Sequence, residues 1–341
     1  MRVASTLKRS LAWTLLRSGL LSLHRAGRER GRTVILLYHR VNDEGDPFFP
    51  ALPVKHFVAQ LEHVARHYRV EPLENVLDWL REGAPGPARV VITIDDGYPD
   101  THDTVLPTLE RLGLPATLFL CTGPPETGQP VWSDRARGML KHARGRTLHL
   151  PALESLSLST DSPQARLDAC RRLLLLLKQL GPAAIARALA QAEEQLDPGP
   201  HTPHLLGWNE VRRLSRGPIT LGAHTHNHYM LARLDDAQIE AEIAASVELI
   251  EARVGLRPRT FAYPNGEAGD YDPRCIDTLR ALGMRCALSS RHGLVRARHD
   301  PWELPRVYTT ETSLPLFAAR VSGLALARRA ERGAAGTTDV Q

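Results

Sequence analysis

The segment Arg89-Val90-Val91-Ile92-Thr93-Ile94-Asp95-Asp96-Gly97-Tyr98-Pro99 opens the reading of this chain. Its first six residues are β-branched and apolar with little interruption, the pattern of a strand buried on both faces of a parallel sheet. Gly97 and Pro99 break the run, so Asp95 and Asp96 fall where strand gives way to loop. Two adjacent carboxylates repel, and burial penalises both unless a cation, a donor or a shared proton compensates. The pair is costly as architecture and useful as chemistry.

Working outward, strand-like and helix-like segments alternate. Val34–Tyr38 is a strand ending at His39, and helices are predicted over Val54–His67 and Leu73–Arg81, the second closed by Gly83 and Pro85-Gly86-Pro87. After the Asp-Asp strand come a helix near Thr104–Leu112 and a strand at Ala116–Cys121. Residues 124–204 interrupt the rhythm, with a polar stretch at 155–163 and helices near 164–180 and 183–196; they read as an insertion forming a helical cap. The alternation resumes with a helix at Trp208–Ser215, a strand at Ile219–Ala223, a helix at Asp235–Val254 and a strand at Arg259–Tyr263. A helix at 273–282 and strands at 284–289 and 304–308 complete it. Repeated βα units imply parallel strands, and about seven of them predict a closed or nearly closed α/β barrel. In such a barrel the site lies at the C-terminal strand ends. His39, Asp95, Asp96, His224 and the Tyr263-Pro264-Asn265-Gly266 turn all directly follow apolar strands.

The partner for the aspartates is offered by His224-Thr225-His226-Asn227-His228, where two imidazoles stand four residues apart. H-x-x-x-H alone is a weak signal in a chain with 15 histidines; joined to Asp-Asp-Gly at another strand end it is much stronger. One carboxylate and two histidines suit a hydrolytic divalent cation that keeps open positions.

Thr93-Ile94-Asp95-Asp96-Gly97 and His224–His228 resemble the two signature motifs of the polysaccharide deacetylases, the NodB-homology family or carbohydrate esterase family 4. Leu37–Val41, Phe261–Gly266 and Leu304–Val307 resemble segments of its bacterial exopolysaccharide-associated branch, and the likeness runs over about residues 33–310 in the family's order. The resemblance implies an irregular (β/α)7 barrel with a helical insertion. It also implies a metal-dependent hydrolase removing N- or O-acetyl groups from a poly- or oligosaccharide. By position, Asp95 is then the catalytic base, and Asp96, His224 and His228 bind one divalent ion. Zinc is favoured for this donor set, with cobalt, nickel, manganese and iron open. The backbone N–H of Tyr98 is a candidate oxyanion donor, and Thr225 a support for the histidine loop. Tyr263, Asn265 and Arg306 are candidate supporting or substrate-contacting residues.

Two departures from the family pattern stand out. Its third motif has an Arg-x-Pro-Tyr form whose arginine orients the aspartate; here the segment is Phe261-Ala262-Tyr263-Pro264. Its fifth motif carries a histidine acid after a leucine; here Leu304-Pro305-Arg306-Val307 has none. His39 is the first candidate for the missing acid, with His292 and Arg306 behind it. The competing expectation is a sugar-binding barrel that keeps the metal but has lost turnover. His226 is expected to face away from the ion, and Trp132 and Trp208 to pack rather than to stack on sugar.

Composition bounds the rest. The 341 residues are 43% apolar and 24% charged, enough for a substantial core. The net charge of +5 is uneven: residues 1–33 carry eight Lys or Arg against Glu29, leaving about −2 on the remainder. That segment reads as a basic amphipathic arm, with Val3, Leu7, Leu11 and Leu15 at i+4 spacing. It either packs on the body or touches an anionic membrane surface. The body, 34–320, lacks the basic stripe expected for nucleic acid, and 321–341 reads as a tail. Cys121, Cys170, Cys275 and Cys286 are scattered and read as reduced. With no convincing signal peptide or apolar span in the sequence, a cytoplasmic or inner-membrane peripheral location is expected.

Overall fold

The computed structural model describes residues 32–82, 88–145, 147–151, 153, 156–199 and 205–323. The expectations for the N-terminal arm up to residue 31, the Pro85-Gly86-Pro87 breaker and the tail from 324 onward lie outside the described residues. No helix among the described residues is long and apolar enough to cross a membrane.

The first half of the chain gives β1 (Arg32–Tyr38), α1 (Val54–His67), β2 (Arg69–Val70), α2 (Leu73–Glu82), β3 (Arg89–Asp96), a π-turn (Thr101–Val105) running into α3 (Leu106–Leu112), and β4 (Ala116–Leu120). The insertion adds α4 (Gly123–Thr127), α5 (Trp132–Lys141), β5 (Thr147–Leu150), β6 (Leu156–Ser159), α6 (Pro163–Leu177) and α7 (Pro182–Leu196). The remainder is α8 (Trp208–Arg216), β7 (Ile219–Ala223), α9 (Asp236–Val254), β8 (Thr260–Ala262), α10 (Pro273–Ala281), β9 (Cys286–His292), β10 (Val295–Arg296), β11 (Leu304–Tyr308) and α11 (Leu314–Val321).

Seven strands close a parallel barrel in the order β1-β11-β9-β8-β7-β4-β3, with β3 pairing back to β1 from Thr33↔Arg89 to Tyr38↔Ile94. The barrel is irregular where β8 meets β7 through the single pair Ala223↔Phe261, and where the register shifts between β11 and β9. Strand alternation sorts the residues. Val90, Ile92 and Ile94 of β3 pack outward in the cluster shared with the helices, while Val91 faces the inner cluster with Ile35, Phe119, Leu288 and Leu304. Thr93 and Asp95 continue that inner face toward the mouth. Both aspartates belong to the strand rather than to the loop, and Asp96 takes a left-handed φ of +72° as the strand ends.

The insertion is more than helical. Thr147–Leu150 and Leu156–Ser159 pair as an antiparallel hairpin, which corrects the reading of 155–163 as a polar stretch. Leu148, Leu150, Leu156 and Leu158 point one way and complete a second core with α5, α6 and α7, which includes Leu173, Leu174 and Leu177. Phe48 and Met230 join that core from the barrel side, so the insertion is packed onto the loops that frame the mouth.

Candidate active site

The inward-facing Asp95 is 1% exposed and Arg306 is wholly buried. Arg306 comes from β11, one strand away across β1. Its Nη1 donates to Asp95 Oδ1 and its Nη2 to Asp95 Oδ2, both at 2.7 Å, a bidentate fork. Its Nε donates to the Ser289 carbonyl at 2.9 Å, and its guanidinium lies 5.9 Å from the Phe119 ring centroid. The arginine absent from the Phe261–Pro264 segment is thus supplied from the last barrel strand. Arg306 is thereby removed from the candidate acids, because it is fixed on the carboxylate it orients. The sequence carried a signal for it: Leu304 and Arg306 share the inward face of β11, and a charge there demands a counter-charge. Burial pushes the Asp95 carboxyl upward, but Arg306 and His224 outweigh it and hold it below the ordinary value.

Asp96 has other company. Its Oδ1 lies 3.3 Å from His224 Nε2 and 3.2 Å from His228 Nε2. Burial raises the Asp96 carboxyl, yet the His228 and His224 imidazoles bring it well below the ordinary range. His224, 1% exposed, has Nδ1 2.7 Å from the Ala262 carbonyl, which makes Nδ1 the donor and turns a lone pair on Nε2 toward Asp96. Asp96 Oδ1 is buried and has no hydrogen-bond partner of good geometry. Donor atoms bound at about 2.0–2.1 Å to one tetrahedral ion stand about 3.3–3.4 Å apart. The Asp96–histidine separations match that edge, so the three residues fit a zinc-like cation.

The histidine loop holds two left-handed non-glycine residues, Thr225 (φ +63°) and His228 (φ +61°). A β-branched residue there is strained. Thr225 Oγ1 accepts from the His228 N–H at 3.0 Å, which ties the two ends of the loop together. His226 turns aside: Nδ1 is 3.0 Å from Thr122 Oγ1, and its carbonyl accepts from the Gly123 N–H at 2.8 Å. Trp132 Nε1 donates to the His228 carbonyl at 2.9 Å, and Trp208 Nε1 to Glu126 Oε2 at 2.9 Å, so both indoles are engaged in packing.

A small recess of about 30 Å³ is lined by His39, Asp95, Asp96, Tyr98, His224, His228, Asn265 and Ser290, among others. His39, Asp96 and Tyr98 also line a larger cavity of about 260 Å³ that continues along Phe49–Pro53 and Thr309, Thr310 and Thr312. Burial pushes the His39 imidazole down, with Asp96 and Asp95 pulling the other way, and the net direction is downward. The Tyr98 hydroxyl donates to Asp134 Oδ1 of α5 at 3.0 Å, and Arg40 lies 5.0 Å over its ring. Asn265 lines the recess and joins the insertion to the barrel: Lys178 Nζ donates to its Oδ1 at 2.5 Å.

Two expectations need correction. Tyr263 does not line the recess: it is buried, stacked on Tyr271 at 3.8 Å, with its hydroxyl on the Trp302 carbonyl. His292 is exposed at the end of β9 and lines neither cavity. Alternation explains Tyr263, which joins Phe261 in the outer cluster. Asp134 and Lys178 were not singled out by sequence, because both lie in the insertion, far along the chain from the motifs.

A closed seven-stranded parallel barrel, with an Asp-His-His cluster that fits a cation and a separate buried carboxylate at its mouth, defines the class of an α/β barrel with a candidate metal centre. The sequence profile of the family described as polysaccharide deacetylase matches residues 82–287, more than half of the chain, and the chain belongs to that family. The YxkH protein of Bacillus subtilis (strain 168) is 26% identical over 132 residues. That match covers 38% of this chain and 46% of the relative, so the chain matches about half the length of that curated protein. Two solved structures share the fold. Streptococcus pyogenes deacetylase PplD in complex with acetate has a TM-score of 0.56 at 15% identity, over 82% of this chain and 92% of that one. IcaB from Ammonifex degensii has a TM-score of 0.55 at 19% identity, over 86% and 97%.

Proposed function

We propose that the protein is a metal-dependent hydrolase that removes acetyl groups, N-acetyl foremost, from an acetylated poly- or oligosaccharide. The observation that carries this reading is the separation of the two carboxylates: Asp96 meets both histidines, while Asp95 meets Arg306 and neither ring at hydrogen-bond distance. Asp96, His224 and His228 would hold the ion. A divalent cation there lowers the pKa of a water and polarises an acyl carbonyl.

The remaining work falls to the chain's own residues. Asp95 keeps a lone pair on each oxygen beyond those taken by Arg306 and removes a proton from the attacking water. Its depressed pKa keeps it ionised at neutral pH, at some cost in basicity. A bond forms between the water oxygen and the acyl carbon, the carbon–nitrogen bond breaks, and the amine leaves with a proton. His39 stands where the small recess meets the larger cavity and is driven toward the neutral form. A neutral imidazole can take a proton on one nitrogen and release one from the other, so His39 acts as a relay to the leaving amine. The Tyr98 backbone N–H is the proposed oxyanion donor. The cavity of about 260 Å³, with Arg40, Phe49 and three threonines on its walls, receives the sugar.

The rival, a sugar-binding barrel without turnover, drew on the missing orienting arginine and the missing acid histidine; Arg306 on Asp95 removes the first ground, and the proposed role of His39 answers the second. The test is acetate release from acetylated oligosaccharides with and without added zinc, for wild type, Asp95→Asn and His39→Ala. The expected result is metal-dependent release that Asp95→Asn abolishes and His39→Ala slows with an altered pH profile. Undiminished release by Asp95→Asn, or by wild type under a strong chelator, would overturn the reading.

A further inference from the structure

Helix α9 buries Ile239, Ile243, Val247 and Ile250 on a regular stripe, and one member of that stripe is a carboxylate: Glu242, 8% exposed. A charge at an apolar stripe position is expensive unless fully hydrogen-bonded. Its partners all belong to the loop between the two histidines. Glu242 Oε2 accepts from the Asn227 N–H at 2.8 Å and from the His226 N–H at 3.1 Å, and Oε1 accepts from Asn227 Nδ2 at 2.6 Å. The His226 N–H is shared with the Glu242 backbone carbonyl at 3.1 Å, so the side chain matters most to Asn227.

Asn227 directly precedes His228, whose left-handed φ of +61° aims its Nε2 at Asp96. The opposite side of the loop is gripped separately, where the Gly123 N–H and Cys121 Sγ donate to the His226 carbonyl. An ionised carboxylate, with two acceptor oxygens and no donor, meets all three converging N–H donors at once. We infer that Glu242 is a positioning residue for the metal centre, a buried carboxylate that clamps Asn227 and thereby holds His228 in the ligating arrangement. The inference rests on the metal-centre reading above and extends it to a residue on a different element. Its chemistry is that of an outer partner of the ligand set, whose loss typically costs 10–100-fold in metal affinity.

The test is binding of cobalt to the metal-free protein, followed by its visible absorption and by chelator competition, in wild type, Glu242→Ala, Glu242→Gln and Asp235→Ala. Asp235 caps the same helix through the Gln238 N–H at 2.8 Å and bonds nothing in the loop, so it reports helix destabilisation alone. Glu242→Ala should raise the cobalt Kd about 10–100-fold. Glu242→Gln should cost less, because the Asn227 amide can turn and re-pair with it, and Asp235→Ala should leave the Kd within about twofold. Amide hydrogen exchange at Asn227 in the metal-free proteins gives a second readout: faster in Glu242→Ala, unchanged in Asp235→Ala. Cobalt binding within twofold of wild type in Glu242→Ala, or an equal loss in Asp235→Ala, would overturn the clamp. Should Glu242→Ala not fold, Asn227→Ala, which deletes the Nδ2 donor, must show the weaker binding in its place. Absence of cobalt binding in wild type would overturn the metal reading and the clamp together; wild-type binding with no deacetylation of any substrate would sink only the deacetylase.

Discussion

Replacing Arg306 by Met should expose how much the interior of this barrel depends on one ion pair. The side chain is wholly buried, forks onto both oxygens of a carboxylate that is 1% exposed, and also serves the Ser289 carbonyl. Its removal leaves Asp95 as a buried charge with its main counter-charge gone, a situation that costs about 3–5 kcal/mol. Replacing both members should be far cheaper than the sum of the single changes, since an ion pair exchanged for groups of similar volume is often nearly neutral. In a cycle of wild type, Arg306→Met, Asp95→Asn and the double variant, we expect a coupling of about 2–4 kcal/mol from urea unfolding at pH 7. The pH dependence has a fixed sign. In wild type the Asp95 pKa lies below its unfolded value of about 3.9. The bridge therefore contributes fully above that pH and is lost as pH falls through the folded value. In Arg306→Met, burial lacks its chief opponent and the Asp95 pKa moves up, so the variant loses stability as pH rises from acid toward neutral. The difference between the two proteins is smallest in acid and reaches its plateau near neutrality. Additive single effects, within about 0.5 kcal/mol, or a penalty flat from pH 4 to 7, would refute the reasoning. Turnover should also fall, by about 10²-fold or more, because the base is no longer aimed.

Asp95→Asn should keep the cation, measured by cobalt titration, while kcat drops by about 10²–10⁴-fold. Gly222→Ala on β7 would place a Cβ 2.4 Å from the Phe119 ring and 2.9 Å from Thr260 Oγ1. Phe119 is fully buried beneath Arg306, so the expected cost is about 1–3 kcal/mol by thermal or urea unfolding, partly recovered in combination with Phe119→Leu. Burial pushes Lys178 down to about 8. Between pH 8 and its unfolded value of about 10.4 the unfolded chain binds the extra proton, so stability rises with pH there, by about 3 kcal/mol at most. Urea unfolding of wild type and Lys178→Met at pH 8 and 10 should show that rise only in wild type.

What the sequence made legible was local. The β3 run, the four-residue spacing of the histidines and the extent of the α9 helix from Asp235 to Val254 are all set by local pattern, and the structure places β3 and α9 within a residue or two of where that pattern predicts. The Asp95 partner was illegible for the opposite reason: Arg306 lies 211 positions away, and only closure of the barrel brings β11 beside β1 and within reach of β3 across it. Its inward face could be read, since Leu304 and Arg306 alternate with Val307, but not which strand it would meet. The hairpin of the insertion alternates faithfully, Leu156-Ser157-Leu158-Ser159 against Thr147-Leu148-His149-Leu150, yet four residues are too few to outweigh the serine-rich composition around them. Glu242 left a trace as well, a charge in an apolar helical stripe, whose meaning required the loop it grips.

The adjacency of Asp95 and Asp96 is what divides their labour. Neighbours on a strand point to opposite faces, so if β3 simply continued, Asp96 would turn outward toward the helices. The left-handed φ of Asp96 takes it off that course at the strand end, with Gly97 (φ +89°) following, and its oxygen meets the two imidazoles at the mouth. Thr225, His228 and Asn265 are left-handed too, at the ends of β7 and β8. Four of the six such non-glycine residues among the described residues therefore gather at this rim. Backbone strain of that kind, at about 1–3 kcal/mol per residue, persists only where surrounding contacts over-determine it. Trp132 on the His228 carbonyl, Lys178 on Asn265, Glu242 on the neighbouring Asn227 and the Thr225 hydroxyl provide those contacts, and none of them comes from β3. The barrel thus contributes the inward carboxylate by simple alternation, whereas the ligand set exists only because separate elements hold a strained rim in place.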